Sequence, residues 1–160
     1  MTVAASGAVA TAIDLRTRRV PNPATAAIAS VGFALAAMQV SGVTLVGALA
    51  GFVIGFVLML PGHLIGGTGA GDVKLLAALG TLLGPAAVMS AFVYTAIAGG
   101  MIAVAVAVRR RRLGRTVDRI ATLVGTGGRN LADIEASSAD NRFAYAPAIA
   151  IGALVAALGR

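Results

Sequence analysis

The chain has 160 residues, 58% of them hydrophobic and only 12% charged, with a mean hydropathy of +0.91 and a formal net charge of +7. That composition excludes an ordinary soluble domain and indicates a membrane protein. An open sheet cannot satisfy its backbone in lipid and no stretch alternates like a barrel strand, so the expected fold is all-α and polytopic. There is no cysteine, which leaves chemistry to carboxylates, hydroxyls, amines and the single histidine, His63.

In chain order, six apolar segments stand out against the roughly 20 residues needed to cross a bilayer. They are Met1–Ile13, Pro23–Val40, Val43–Leu60, Val73–Leu83, Ala86–Val108 and Phe143–Leu158. The first would give about 20 Å of helix against a hydrocarbon core of about 30 Å, so it either begins upstream or does not fully span. Ala8-Val9-Ala10 resembles a signal cleavage site, but a basic n-region is missing and a secretory signal is disfavoured. The fourth segment is also short. It follows a glycine-rich loop and can lengthen only through Gly84-Pro85, so it reads as a helix sheltered by its neighbours. Residues 109–142 form a basic and polar loop, and 1–160 read as one membrane-embedded domain.

Threading these segments with alternating direction puts Arg16, Arg18, Arg19, Lys74, Arg109 to Arg112, Arg115, Arg119, Arg129 and Arg142 on one side, and only Arg160 on the other. Such an asymmetry marks the cytoplasmic face. The positive charge is thus explained by the rim of an inner (cytoplasmic) membrane protein, with the lipid bilayer as partner and no nucleic acid.

Of six acidic residues, Asp118, Asp133, Glu135 and Asp140 fall in the polar loop, which leaves Asp14 and Asp72 alone among the apolar segments. Asp14 ends the first segment and Asp72 opens the fourth, so the threading brings both to the cytoplasmic edge at similar depth. Ionisable groups there are costly, and two carboxylates at one level form a candidate catalytic pair. The plainer reading is a helix cap for Asp72 and a solvated helix end for Asp14. It leaves Gly66, Gly67, Gly69 and Gly71 unexplained, since glycines let another chain approach closely and permit positive φ. A phosphate loop is excluded, because Asp72-Val73 stands where a Lys and a Ser or Thr are needed and a carboxylate would repel phosphate.

Gly69-Ala70-Gly71-Asp72 resembles the GxGD motif of intramembrane aspartyl proteases, and its continuation Val73-Lys74-Leu75-Leu76 resembles the prepilin peptidase form. Upstream, Asp14-Leu15-Arg16-Thr17-Arg18-Arg19-Val20-Pro21-Asn22 is similar to that family's first motif, and Tyr145 to Gly152 to its last helix. The resemblance implies a small prepilin peptidase of the type IV leader peptidase family, like those of tight-adherence (Flp-type) pili, acting on a prepilin-like protein substrate. It implies catalysis by Asp14 and Asp72 at the cytoplasmic face. N-methylation, which larger members perform through a further domain with paired cysteines, is not expected.

Two carboxylates can bind a water, deprotonate it with one group and protonate the scissile amide with the other, so no metal or cofactor is expected. Helix ends favour Asp72 as the initial base and Asp14 as the initial acid, with Arg16, Arg18 and Arg19 pulling Asp14 the other way. Gly69, Gly71 and Lys74 are the candidate substrate-binding residues. Lys74, two residues from Asp72, does not face it along a helix, so lipid anchoring and substrate steering are alternatives for it. Asn22-Pro23 reads as an N-cap and first helical proline, Gly47, Gly51 and Gly55 as a packing face, and His63 as a rim residue or substrate contact. Two readings from other classes remain open here: a proton-coupled transporter, and a catalytically inactive scaffold owing to the short first helix.

Overall fold

The computed structural model describes residues 2–17, 21–64, 68–109 and 145–159, and among them every regular element is a helix. In chain order these are α1 (Thr2–Thr17), α2 (Asn22–Ala37), α3 (Leu45–Leu64), α4 (Ala70–Arg109) and α5 (Ala146–Leu158). The loop expected at 109–142 lies beyond Arg109 outside the described residues, as do Arg18, Arg19, Gly66, Gly67 and Phe143. Among the described residues two helices are long and apolar enough to cross a membrane, α3 and α4 over Ala70–Ala105, and α2 and α5 are shorter apolar helices.

As one straight rod, the 40 residues of α4 would measure about 60 Å, twice a bilayer core. Gly84 breaks it. Its φ of 76° and ψ of 176° are open to glycine and strained for residues with a Cβ. Pro85 then begins the second run, where a missing N–H costs little. The turn expected at Gly84-Pro85 is therefore present.

The first half of α4, 70–83, is the central helix. Its leucines Leu75, Leu76, Leu79 and Leu83 are fully buried, and every residue from 75 to 84 is buried. α3 packs against it along a seam without side chains, where a Cβ on Gly51 would run into the carbonyl of Gly80 and one on Gly55 would lie 2.8 Å from that of Leu76. Rising numbers on α3 meet falling numbers on α4, so the two are antiparallel. α2 runs parallel to the same half, with Gly32 against Thr81 and Asn22 bonded to Lys74. α5 lies antiparallel on the second half, Gly152 against Thr95 and Tyr145 against Gly99. α1 packs chiefly on α5, where a Cβ on Gly7 would sit 3.2 Å from that of Ala150, and also touches α4.

These close approaches are how helices associate where lipid is as apolar as leucine: small residues admit a neighbouring backbone and dispersion does the rest. The expected packing face of α3 is present at Gly51 and Gly55, which are buried, and weaker at Gly47, which is half-buried and meets Val43, Thr44 and Pro85.

Several boundaries differ from the sequence reading. α1 continues to Thr17, giving 16 residues and about 24 Å, so Asp14 falls within its last turn rather than after it. α3 runs on through Pro61 to Leu64, the proline costing one hydrogen bond in a final turn. Asn22 is not the N-cap of α2: Pro21 takes that position in extended conformation, its carbonyl receiving the N–H groups of Ala24 and Thr25. The Asn22 side chain is engaged elsewhere, as described next.

Candidate active site

Asp72 is the third residue of α4, with Gly69 before the helix. The Gly69 carbonyl accepts from the N–H groups of Asp72 and Val73 at 3.0 and 3.3 Å, and the Gly69 N–H donates to Asp72 Oδ2 at 3.0 Å. An acidic side chain reaching back to the cap residue's N–H is one half of a capping box, so the capping role weighed for this residue is real. It does not account for the burial. Asp72 is 8% exposed, at the mouth of the central helix, where a carboxyl would be hydrated if capping were its whole purpose.

The backbone at Gly69 and Gly71 is not left-handed. Among the described residues the glycines with positive φ are Gly42 and Gly84. Gly69 and Gly71 are not among them, which corrects the expectation of left-handed backbone here, because Gly71 already lies inside the helix and Gly69 is its cap. A Cβ on Gly69 would sit 3.2 Å from Asp72 Oδ2, so the carboxylate occupies space that any larger residue would contest.

Tyr145 immediately precedes α5, half-buried, with its ring against Gly99 in the second half of α4. Burial first, and the negative charge of Asp72 second, raise its phenol above the usual tyrosine pKa. Residues 72, 99 and 145 therefore share one end of the molecule, which means that α4 doubles back after Gly84. Nothing in the sequence pointed to Tyr145 as a neighbour of Asp72 beyond its place in the last motif.

Lys74 Nζ donates to Asn22 Oδ1 at 3.0 Å, on the exposed side of α4 and away from the buried carboxyl. His63 Nδ1 lies 3.0 Å from the Thr68 carbonyl, and the Thr68 N–H donates to the Gly62 carbonyl. The exposed histidine thus braces the two ends of the glycine loop, which matches a rim position. Asp14 lies in the last turn of α1. Thr17 and Asn22 are five residues apart, so at most about 18 Å separates the end of α1 from the first residue of α2, which carries the bond to Lys74. The last turn of α1 is held to the end of the molecule where Asp72 lies.

A carboxyl buried beside the cap glycine Gly69, at the end of a helical bundle of membrane character, is suited to acid-base work on a backbone brought alongside it. The family model of the type IV leader peptidase family matches residues 1–104, which include Asp14 to Asn22 and Gly69 to Leu76 and stop before Tyr145. No curated protein and no solved structure matches the chain. With 104 of 160 residues matched, the chain belongs to the type IV leader peptidase family, a family of inner-membrane proteases of the aspartic type.

Proposed function

We propose that the protein is a membrane aspartyl endopeptidase that removes the leader of prepilin-like proteins, of the small kind serving tight-adherence pili, with Asp14 and Asp72 as its catalytic pair. The observation that carries this reading is the burial of Asp72 at the mouth of the central helix, in the segment Gly69 to Leu76, with the last turn of α1 leashed to the same end. Six membrane helices, with α4 contributing two on either side of Gly84, accommodate it.

In the reaction, Asp72 takes a proton from a water held between the two carboxyls as the water oxygen attacks the scissile carbonyl carbon. Asp14 gives its proton to the departing amide nitrogen as the C–N bond breaks, and proton return from Asp72 to Asp14 restores the pair. Position favours this division of roles, since Asp72 sits at a helix N-terminus and accepts a backbone N–H, whereas Asp14 sits near a helix C-terminus. Gly69 and Gly71 leave room for an extended substrate backbone beside Asp72. Lys74 stands at the rim, where contact with substrate competes with its bond to Asn22. The reaction uses no metal or cofactor, and no N-methylation follows it.

The twelve-to-one distribution of basic residues in the alternating threading supports an active end at the cytoplasmic face. Reporter fusions after Arg112 are expected to read as cytoplasmic and fusions at Ser41 as external; the reverse overturns that orientation. For the chemistry, purified protein incubated with a prepilin-like peptide and S-adenosylmethionine should give a single cut at the end of the leader, leaving an unmethylated amine by mass spectrometry. An uncut peptide contradicts the proposal.

A further inference from the structure

Resting on the assignment of Asp14 and Asp72 as a pair, we propose that the Asn22–Lys74 hydrogen bond is the tie that sets the spacing of the two aspartate-bearing segments, which makes Asn22 and Lys74 positioning residues of the peptidase. The bond joins side chains 52 positions apart at 3.0 Å, from the first residue of α2 to the second turn of α4.

The packing shows why a tie is needed. Asp72 is fixed at the start of the central helix, which is buried all round from Leu75 on. The helix that carries Asp14 rests chiefly on α5 and makes far less contact with α4, so apolar packing does little to set its polar end against Asp72 directly. The covalent route between the two segments runs from Thr17 to Asn22, and Asn22 is bonded to α4 through Lys74. Anchoring Asn22 to Lys74 therefore limits how far the last turn of α1 can drift from Asp72.

Both partners are disposed for this role. Lys74 is two positions from Asp72, about 200° around the helix, so its ammonium points away from the carboxyl and toward α2. Asn22 is released from capping because Pro21 holds the cap position, and its own carbonyl serves the Thr25 hydroxyl, which leaves the side-chain amide for Lys74. The ammonium is also held at the N-terminal ends of two helices, where dipoles disfavour a cation. A bond between exposed groups is a small part of the stability of the whole fold, yet it is enough to favour one placement of Asn22 on α4 over others. Its value is geometric, because catalysis by two groups responds steeply to displacements of about 1 Å.

Asn22→Ala, Lys74→Met, the double variant and Asn22→Asp, which keeps an acceptor for the ammonium, test the tie. Each single loss should lower kcat about tenfold with KM nearly unchanged. The double should be no worse than either single, and Asn22→Asp should retain near-native kcat. If Lys74→Met instead raises KM while Asn22→Ala is silent, Lys74 serves substrate alone and the tie is wrong.

Because the chain has no cysteine, a second readout needs no activity. Asp14→Cys/Asp72→Cys protein treated with a short thiol-to-thiol reagent should cross-link within the chain, and adding Asn22→Ala and Lys74→Met should lower the yield several-fold. Equal yields with and without the tie overturn this inference and leave the pair standing. Failure to cross-link in the otherwise native chain overturns the pair and the inference together.

Discussion

The first half of α4 and its neighbour α3 share a glycine seam, yet they meet their surroundings in opposite ways. In α3 one face is small and buried, at Ala48, Gly51, Gly55 and Met59, while Leu45, Val46, Leu49, Val53, Phe56 and Val57 point outward. From Leu75 to Gly84, α4 has no outward face at all. The twenty residues of α3 match the thickness of a bilayer. The first half of α4 is too short for that and has no need of it, because protein rather than lipid surrounds it. What the contrast teaches is where chemistry can be placed: the helix that protein surrounds is the one that holds the Asp72 carboxyl buried at its mouth.

The most damaging change to that arrangement should be Gly51→Val. The branched side chain would collide with the Gly80 carbonyl and separate α3 from the central helix, at a cost of about 3 kcal/mol. Val53→Ala, on the outward face of the same helix, should stay within about 0.5 kcal/mol of the native chain. Denaturation of both variants in micelles, followed by helicity, checks the pair. Equal destabilisation would show that the two faces of α3 do not differ as described.

Next in size is the effect of a side chain beside Asp72. Gly71→Val should block cleavage as completely as loss of the acid, in protein of normal helicity, because a branched residue would fill the space a substrate backbone needs. Gly69→Ala should slow cleavage only several-fold, since its methyl presses on Asp72 Oδ2 at 3.2 Å without filling the approach. Near-native cleavage of a prepilin peptide by the Gly71→Val protein would reduce the glycines to spacing before a helix.

The smallest effect is spectroscopic. In a Tyr94→Phe chain the single remaining phenol is Tyr145, and its absorbance should titrate above the ordinary value of about 10. Burial and the charge of Asp72 both disfavour phenolate, so Asp72→Asn should lower the midpoint part of the way back. An unmoved midpoint would separate Tyr145 from Asp72 and undo the doubling back of α4.

Much of this was readable in the residues. Apolar runs gave the helices to within a turn or so, Gly84-Pro85 marked the corner, and the isolation of Asp72 among apolar residues marked the buried carboxyl. The parts that were not readable depend on pairings across the fold. Asn22-Pro23 has the local signature of a cap, and only the approach of Lys74 from 52 residues away shows that the amide is used otherwise. Gly69 and Gly71 suggest both close approach and positive φ, and the positive φ is absent because helix α4 starts earlier than its apolar pattern does. Tyr145 acquires its relation to Asp72 through the packing of its ring on Gly99.

The central claim, that Asp14 and Asp72 act as one catalytic pair, is tested most directly by Asp14→Asn and Asp72→Asn in a co-expression assay that resolves the prepilin-like substrate from its product. Each substitution keeps the size of the side chain and removes its acid-base chemistry. Each single variant should leave the substrate uncut while the enzyme remains inserted at native levels, and Asp118→Asn in the same assay should cut normally. Substantial processing by either Asp14→Asn or Asp72→Asn would contradict the account.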